Sequence, residues 1–226
     1  MVKAVIFDLD DTLYNELDYV LQGFRNVAEY LAKEYSIDVD EVHEQMCGIL
    51  KEQGRGKIFD SVCEIYHIDV PVKKLVEIYR ATKPKLSFYT DAEEVISTLR
   101  KKNIGLGLIT DGCSQVQHRK IDALCLNDLM DVVLATDDLG KDEEGKPYCK
   151  PNPKVYEVAL EKLQCKPQEA VYIGDNPQKD FVGAKALGMK TIRIVRKQGD
   201  HMQDKVCEEY EADVTIQNLT ECMGFL

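Results

Sequence analysis

Three carboxylates lie within four residues near the start of the chain, directly after an apolar run. Asp8, Asp10 and Asp11 follow residues 2–7. Side chains two apart in a strand point to the same side, so Asp8 and Asp10 can face one small space. Like charges this close repel unless a cation lies between them, and an ion that prefers oxygen ligands, most simply Mg²⁺, fits. One carboxylate can then act as a nucleophile while the other holds or releases a proton.

A hydroxyl and a glycine-containing turn end a second apolar run. Residues 104–110 end in Thr110, and Asp111 and Gly112 follow. The hydroxyl and free backbone N–H groups of such a turn can bind a phosphoryl oxygen. The same residues also suit an ordinary turn that the hydroxyl stabilises. We predict Thr110 and Asp111 as substrate contacts in combination with the segments that follow.

One lysine is held just before a predicted amphipathic helix. Lys150 precedes Pro151, and Asn152 and Pro153 suit the N-cap and the first helical position. A fixed ammonium group there can neutralise an attacking carboxylate and a transferred phosphoryl group. The competing lysines are expected to be solvated: Lys141, Lys146 and Lys154.

Two further aspartates follow the apolar run that begins at residue 171. Asp175 ends that run, and Asp180 lies five residues further on, before a predicted helix. Asp175 can complete an oxygen shell around an ion held by Asp8, and Asp180 can order that shell through a water or Lys150. A plain N-cap is the alternative for Asp180. The residues predicted to hold the metal are Asp8, Asp10, Asp175 and Asp180.

Each of these polar groups lies at or just after the end of a predicted strand. The predicted strands are 2–7, 104–110, 132–136, 171–175 and 191–195, with a candidate sixth at 213–216. Strands that alternate with helices pair in parallel through right-handed crossovers, which predicts a layered α/β fold. Ligands bind such sheets outside the carboxyl ends of the strands. The predicted fold therefore gathers the polar groups at one edge.

The segment between the first two predicted strands is far longer than one crossover needs. Apolar residues recur there at helical spacing: Leu17, Val20, Leu21, Phe24, Val27, Ala28 and Leu31. We expect Asp40 to cap a second helix and Pro71 to open a fourth. This predicts a helical cap domain of residues 16–85, inserted into a core domain that consists of residues 1–15 and 86–226. Extra helices packed on the sheet edge are the alternative. After the insertion, Thr90 and Glu93 predict a capping box.

The four segments, in this order and spacing, resemble the motifs of the haloacid dehalogenase (HAD) superfamily of phosphohydrolases. The resemblance begins at Asp8-Leu9-Asp10-Asp11-Thr12 and extends to residues 184–191, near the last core strand. It implies a Rossmann-like parallel-sheet core in three α/β/α layers. The insertion resembles the helical type-one cap of subfamily I, as in phosphoglycolate and sugar-phosphate phosphatases. Residues 137–149 are too few for the larger second type of cap.

The resemblance implies a Mg²⁺-dependent phosphatase that acts on a small phosphorylated metabolite. Asp8 would attack phosphorus and form an aspartyl-phosphate, while Asp10 would protonate the leaving alcohol and then activate water. The ion would be held by the Asp8 and Asp175 side chains and the Asp10 backbone carbonyl. Thr110 would bind phosphoryl oxygens, and Lys150 would offset charge.

Asp10 also separates the reaction classes of the family. HAD dehalogenases lack an acid at this position, which disfavours dehalogenation here, and Thr12 is expected to position Asp10. A phosphomutase or phosphotransferase of the same fold uses the same two aspartates and stays open. Two non-enzyme alternatives are less favoured. A receiver-like signalling domain is shorter and carries its acceptor after a later strand, and a non-catalytic phospho-ligand-binding protein would be expected to lack motif residues.

The insertion carries one candidate for substrate specificity. Arg55 and Lys57 are framed by Gly54 and Gly56. Arg55 is predicted to bind a second anionic or polyol group of the substrate, although a solvated loop explains this segment equally well. A sugar phosphate, a nucleoside monophosphate and phosphoglycolate all fit.

Composition limits the partners and the compartment. The 226 residues carry a formal net charge of −11, which disfavours binding to nucleic acid or to an anionic membrane. The eight cysteines form no C-x-x-C pair, so we do not expect a zinc site. We expect the thiols to be reduced and the protein to be cytoplasmic. We expect neither a signal peptide nor a membrane span. The expected partner is a small phosphate ester, and the expected state is a monomer or homodimer.

Overall fold

The computed structural model describes residues 1–226, which divide into two compact units. The α/β unit contains Met1–Glu16 and Leu86–Leu226, and the helical unit contains Leu17–Lys85. No helix combines the length and the apolar surface needed to traverse a lipid bilayer.

The helices are distributed over both units. Those of the first long insertion are α1 (Glu16–Tyr35), α2 (Val39–Gln53), α3 (Ile58–Ile65) and α4 (Val72–Arg80). Those that follow are α5 (Thr90–Lys101), α6 (Ser114–Ala123), α7 (Leu126–Leu129), α8 (Pro153–Lys162) and α9 (Val182–Ala186). Short 3₁₀ segments cover Thr136–Leu139, Pro167–Glu169 and Leu219–Phe225.

A six-stranded sheet forms the α/β unit. Its strands are β1 (Ala4–Phe7), β2 (Gly105–Thr110), β3 (Val132–Ala135), β4 (Ala170–Gly174), β5 (Lys190–Ile194) and β6 (Val214–Ile216). The order is β3-β2-β1-β4-β5-β6, and every neighbouring pair is parallel. The predicted Rossmann-like α/β fold is confirmed, and each predicted strand agrees with the observed one to within two residues.

The position of β1 follows from its sequence. Its four residues are apolar and fully buried, as expected of a parallel strand covered on both faces. The strand pairs with β2 on one side and with β4 on the other, so that Phe7 lies opposite Leu108 and Ile173. The residue after Phe7 therefore emerges at the middle of the carboxyl edge of the sheet.

The helical unit has an apolar core of its own. The buried face of α1 repeats at the predicted helical spacing and includes Val20, Phe24, Val27, Ala28 and Leu31. A β-carbon on Gly23 would lie 2.4 Å from ring atoms of Tyr79, so only glycine lets that ring pack against α1.

Two predicted helix caps are wrong. Asp38, rather than Asp40, caps α2 and accepts from the Glu41 backbone N–H at 2.9 Å, while the Asp40 carboxylate pairs with Arg25. The capping box at Thr90 does not form because Thr90 is already the first residue of α5 and no side chain caps this helix. Pro71 is the N-cap of α4 rather than its first residue.

Candidate active site

The carboxyl edge of the sheet brings three predicted site residues to adjacent strands. Asp8 follows β1, and its backbone N–H donates to the Ile173 carbonyl of β4 at 2.8 Å. Thr110 ends β2 and Asp175 follows β4. All three side chains belong to residues that are no more than 4% exposed. Parallel pairing of the three strands is the reason these residues, distant in sequence, share one site.

Lys150 lies between two carboxylates in the interior of this site. Its ammonium group pairs with Asp8, lies 2.8 Å from Asp180 Oδ1, and donates to the Tyr172 hydroxyl at 3.1 Å. The Lys150 side chain is fully buried. Burial alone would lower the pKa of Lys150, but the charges of Asp180 and Asp8 outweigh it and hold this pKa well above its ordinary value. Lys150 is therefore a fixed cation beside Asp8.

The segment around Lys150 is fixed by local contacts. Asn152 caps α8 by accepting from the Lys154 backbone N–H at 2.9 Å, and Pro153 is the first helical residue, which confirms both predicted cap positions. The Lys150 backbone N–H donates to Asp111 Oδ1 at 3.2 Å. A β-carbon on Gly183 of α9 would lie 2.0 Å from the Pro151 carbonyl oxygen. A glycine there allows the chain that carries Lys150 to approach α9.

Asp8, Asp175 and Asp180 form a buried acidic cluster. One carboxylate oxygen from each lies within 4.8 Å of the others. Burial and the neighbouring Asp180 charge raise the pKa of Asp8 to about 6 against the opposing effect of Lys150. Burial, Asp8 and Asp180 raise the pKa of Asp175 well above its usual range. One lysine does not balance three carboxylates, and an oxygen-ligated divalent cation fits this donor set.

Asp180 has hydrogen bonds on both oxygens that order the loop after β4. Oδ2 accepts from the Asn176 backbone N–H at 2.9 Å, and Oδ1 accepts from the Tyr172 hydroxyl at 3.3 Å as well as pairing with Lys150. A β-carbon on Gly174 would lie 2.4 Å from Asp180 Oδ2, so glycine is required for this approach. Asp180 thus fixes the loop that presents Asp175.

Asp111 has its carboxylate engaged with protein groups. Oδ1 accepts from the Thr136 hydroxyl at 2.7 Å, and Oδ2 lies 3.4 Å from Lys179 Nζ. Burial would raise the pKa of Asp111, but Lys150 and Lys179 outweigh it and lower this pKa. An ionised carboxylate repels a phosphate, so the backbone N–H of Asp111 is its group suited to a phosphoryl oxygen. Lys179 is a cation of the site that the sequence analysis did not single out.

Asp10 has a different environment from Asp8. It accepts from Tyr14, Gln117 and Lys120, and its side chain is 22% exposed. Burial would raise the pKa of Asp10, but Lys120 and these hydrogen bonds outweigh it and lower this pKa. The expectation that Thr12 positions Asp10 is wrong, because the buried Thr12 hydroxyl has no hydrogen-bond partner.

The residues that contact Asp10 were missed by the sequence analysis, although α6 carried a signal. Gln117 and Lys120 lie on the buried face of α6 together with Val116 and Ile121. Polar side chains at the buried positions of an amphipathic helix need a partner. That pattern, directly after the second motif, could have marked both residues as parts of the site.

Arg55 belongs to the helical unit, in the exposed segment between α2 and α3. It lines a cavity of about 230 Å³ within that unit. The other lining residues include Arg80 and the aromatic residues Phe24, Phe59 and Tyr79. Two guanidinium groups beside an apolar wall can bind an anion that carries a small organic group.

Family comparison decides among the folds that gather acids at a sheet edge. The family model for haloacid dehalogenase-like hydrolases matches residues 5–194, which include every predicted motif residue of the α/β unit. The chain belongs to this family. The predicted family is confirmed.

Individual relatives of this HAD protein match along nine-tenths or more of its length. It is 30% identical to the glyceraldehyde 3-phosphate phosphatase of Methanocaldococcus jannaschii, over 100% of this chain and 97% of the relative. It is 32% identical to the enzyme of that name from Methanopyrus kandleri, over 91% and 89%. The crystal structure of a HAD phosphatase from Thermococcus onnurineus is 29% identical, has a TM-score of 0.64, and covers 99% and 97%. The prediction of an enzyme of the phosphatase class is confirmed.

Proposed function

We propose that this HAD protein is a Mg²⁺-dependent phosphomonoester hydrolase that forms an aspartyl-phosphate on Asp8. The observation that carries the proposal is the contrast between its first two aspartates. The buried Asp8 carboxylate pairs with Lys150 and belongs to the acidic cluster, whereas the Asp10 side chain is 22% exposed and accepts from Tyr14, Gln117 and Lys120. Two carboxyl groups in different environments can have two roles, one as nucleophile and one as acid and base.

The acidic cluster supports the metal. The Asp8 and Asp175 side chains and the Asp10 backbone carbonyl would hold Mg²⁺, and Asp180 would order them from the second layer. When bound, the ion would offset the negative charge of the phosphate and of the attacking carboxylate. Asp180 is assigned this indirect role because Lys150, Tyr172 and Asn176 already contact its oxygens.

The protein's own groups supply the remaining chemistry. A carboxylate oxygen of Asp8 bonds to phosphorus as the bond from phosphorus to the alcohol oxygen breaks, and Asp10 provides the proton that this oxygen needs. Lys150 stays positive throughout and stabilises both the free carboxylate and the phosphorylated one. The Thr110 hydroxyl and the backbone N–H groups that follow it bind the phosphoryl oxygens. Asp10 then takes a proton from the water that attacks the aspartyl-phosphate, which releases phosphate and restores Asp8.

A small sugar phosphate is the proposed substrate class. Two relatives that match nearly the whole chain are named for glyceraldehyde 3-phosphate, a three-carbon ester. We assign Arg55 to the recognition of a second polar group on the substrate, since it pairs a guanidinium group with an apolar cavity wall. The helical unit would then act as the specificity cap, because it is inserted directly after the motif that carries Asp8 and Asp10.

Phosphate release from a panel of monoesters tests this function. The panel holds glyceraldehyde 3-phosphate, other sugar phosphates, nucleoside monophosphates, phosphoglycolate and p-nitrophenyl phosphate, each with Mg²⁺ and with a chelator. We expect metal-dependent release that is fastest for a small sugar phosphate. Arg55→Ala should lower kcat/KM for that ester by about tenfold and change p-nitrophenyl phosphate little. Release from no ester would overturn the phosphatase assignment, and equal losses in the variant would overturn the role of Arg55.

Thermal stability gives a test of the metal site that does not depend on turnover. Without metal, the folded protein has a raised pKa at Asp8 and Asp175, so the stability that protonated Asp8 contributes is lost as pH rises through about 6, and that of protonated Asp175 is lost as pH rises through its own raised pKa. Mg²⁺ binds the ionised forms. We expect Mg²⁺ to raise Tm clearly at pH 7.5 and much less at pH 5.

Asp175→Asn is the matched variant for that measurement. It keeps the size of the side chain, removes one charged ligand, and should raise Tm in chelator while abolishing the shift caused by Mg²⁺. Asp128→Asn, at an exposed position on α7, should leave both values unchanged. An equal Mg²⁺ shift in wild type and Asp175→Asn would contradict the proposed site.

A further inference from the structure

The three donors to Asp10 are divided unevenly between its two carboxylate oxygens. The Tyr14 hydroxyl donates to Oδ1 at 2.5 Å, and Lys120 Nζ donates to the same oxygen at 2.7 Å. Gln117 Nε2 donates to Oδ2 at 3.0 Å. A carboxylate oxygen accepts about two hydrogen bonds. Oδ1 is therefore filled, and Oδ2 has one position left for a group outside this cluster.

Lys120 is a buried lysine that pairs with Asp10. Its side chain is 4% exposed, and its ammonium group lies 2.7 Å from a carboxylate oxygen of Asp10 and 3.6 Å from one of Glu16. A lysine is rarely buried unless it is paired, since an ammonium group loses much hydration free energy in the interior. The rigid face of α6 thus holds a charge against one oxygen of Asp10 and leaves the carboxylate little freedom to rotate.

Gln117 connects Asp10 with Thr110. Its Nε2 also lies within hydrogen-bond distance of Thr110 Oγ1. An amide nitrogen has two hydrogens, so one can go to Asp10 Oδ2 and the other to the Thr110 hydroxyl oxygen. The Thr110 hydroxyl accepts there, and its own hydrogen is directed elsewhere. One side chain therefore sets the orientation of the proton-transfer group and of a proposed phosphoryl donor together.

We propose that Lys120 is a positioning residue that fixes Asp10 so that the open position of Oδ2 exchanges the proton. The inference rests on the proposed function. As the bond from phosphorus to the alcohol oxygen breaks, its electron pair stays on that oxygen, which takes the proton from Oδ2. When water attacks the aspartyl-phosphate, its proton goes to Oδ2 while the bond between Asp8 and phosphorus breaks. One water is consumed in each turnover, and Asp10 returns to its starting state.

Leaving groups differ in how much they need this proton. An alkoxide leaves poorly without one, whereas p-nitrophenolate is stable enough to leave unaided. Misplacing Oδ2 should therefore slow the cleavage of alkyl esters far more than that of p-nitrophenyl phosphate. The value of kcat/KM covers substrate binding and the first phosphoryl transfer, and it does not include the later hydrolysis of the aspartyl-phosphate. A merely structural loss would lower both classes of ester equally.

The decisive experiment compares these two esters in Lys120→Met, with Mg²⁺ present. We expect kcat/KM to fall by about 100-fold for glycerol phosphate and by less than about fivefold for p-nitrophenyl phosphate. Lys120→Arg keeps a charged donor and should recover most of the loss on glycerol phosphate. Lys102→Met, which removes an exposed lysine after α5, should match the wild type on both esters.

A second variant keeps the test decisive if Lys120→Met does not fold. Tyr14→Phe keeps the fully buried ring and removes only its hydroxyl, the other donor to Oδ1. It should lower the ratio of kcat/KM for glycerol phosphate to kcat/KM for p-nitrophenyl phosphate about tenfold. If the wild type is active and the variants lose activity equally on both esters, or lose none, the role of Lys120 is overturned and the proposed function still stands. A wild type that hydrolyses no ester overturns both.

Discussion

Asp8→Asn should lower phosphate release by at least about 10⁴-fold, because an amide oxygen is too weak a nucleophile to form the phosphorylated intermediate. The loss should be the same for every ester, since each one must pass through Asp8. This uniformity separates the nucleophile from Lys120, whose replacement is expected to discriminate between leaving groups. The measurement is phosphate release under saturating Mg²⁺.

The fold of Asp8→Asn should persist. Asparagine keeps an oxygen that can accept from Lys150, and it removes a buried charge whose burial raises the pKa of Asp8 in the wild type. We expect Tm in chelator to stay within a few degrees of the wild type. Acid quenching during turnover, followed by mass spectrometry, should find phosphate on the peptide that contains Asp8 in the wild type and not in the variant. Full activity in Asp8→Asn would refute the proposed mechanism.

The sequence predicts those parts of the site that depend on strand ends. Asp8, Thr110 and Asp175 lie where apolar runs stop, and parallel pairing of β1, β2 and β4 is sufficient to bring these ends together. Lys150 was found for a related reason, because Asn152 and Pro153 fix the start of α8 just after it. In each case a local signal, an apolar run or a helix cap, determines where the side chain lies.

The contacts of Asp10 could not be predicted in this way. Lys120 follows it by 110 positions, and no local periodicity relates the two. Thr12, which is close in sequence, has its hydroxyl unpartnered, while α6 supplies two of the donors instead. Tertiary packing decides which neighbour contacts a carboxylate, and sequence proximity is a poor guide to it.

The predicted start of the second helix in the insertion was wrong for a similar reason. Asp38 and Asp40 are both suitable N-caps by residue type. Arg25 of α1 pairs with Asp40 across fifteen positions, and Asp38 accepts from the Glu41 backbone N–H. The partner on another helix distinguishes the two aspartates, and the residues around them do not.

Lys150→Met should destabilise the protein by about 3–5 kcal/mol in chelator at pH 7.5, because it leaves two buried carboxylates without their cation. Asp8 and Asp180 are no more than 4% exposed, so water does not replace the ammonium group. For a chain of this length the expected fall in Tm is about 10 °C. Phosphate release should be lost as well. Lys154→Met is the matched control, since the Lys154 side chain is 50% exposed and its ammonium group lies 3.5 Å from the equally exposed Glu157 carboxylate.

The pH dependence of this loss identifies its cause. Burial already raises the pKa of Asp8, and without Lys150 its carboxyl group favours protonation in the folded state still more, so the variant should regain stability as pH falls from 7.5 toward 5. Adding Asp180→Asn should restore part of the stability at pH 7.5, by removing one of the two unpaired charges. Thermal unfolding of the single and double variants at both pH values measures these effects. A loss that is the same at both pH values, or is unaffected by Asp180→Asn, would show that Lys150 stabilises the fold through packing rather than through its charge.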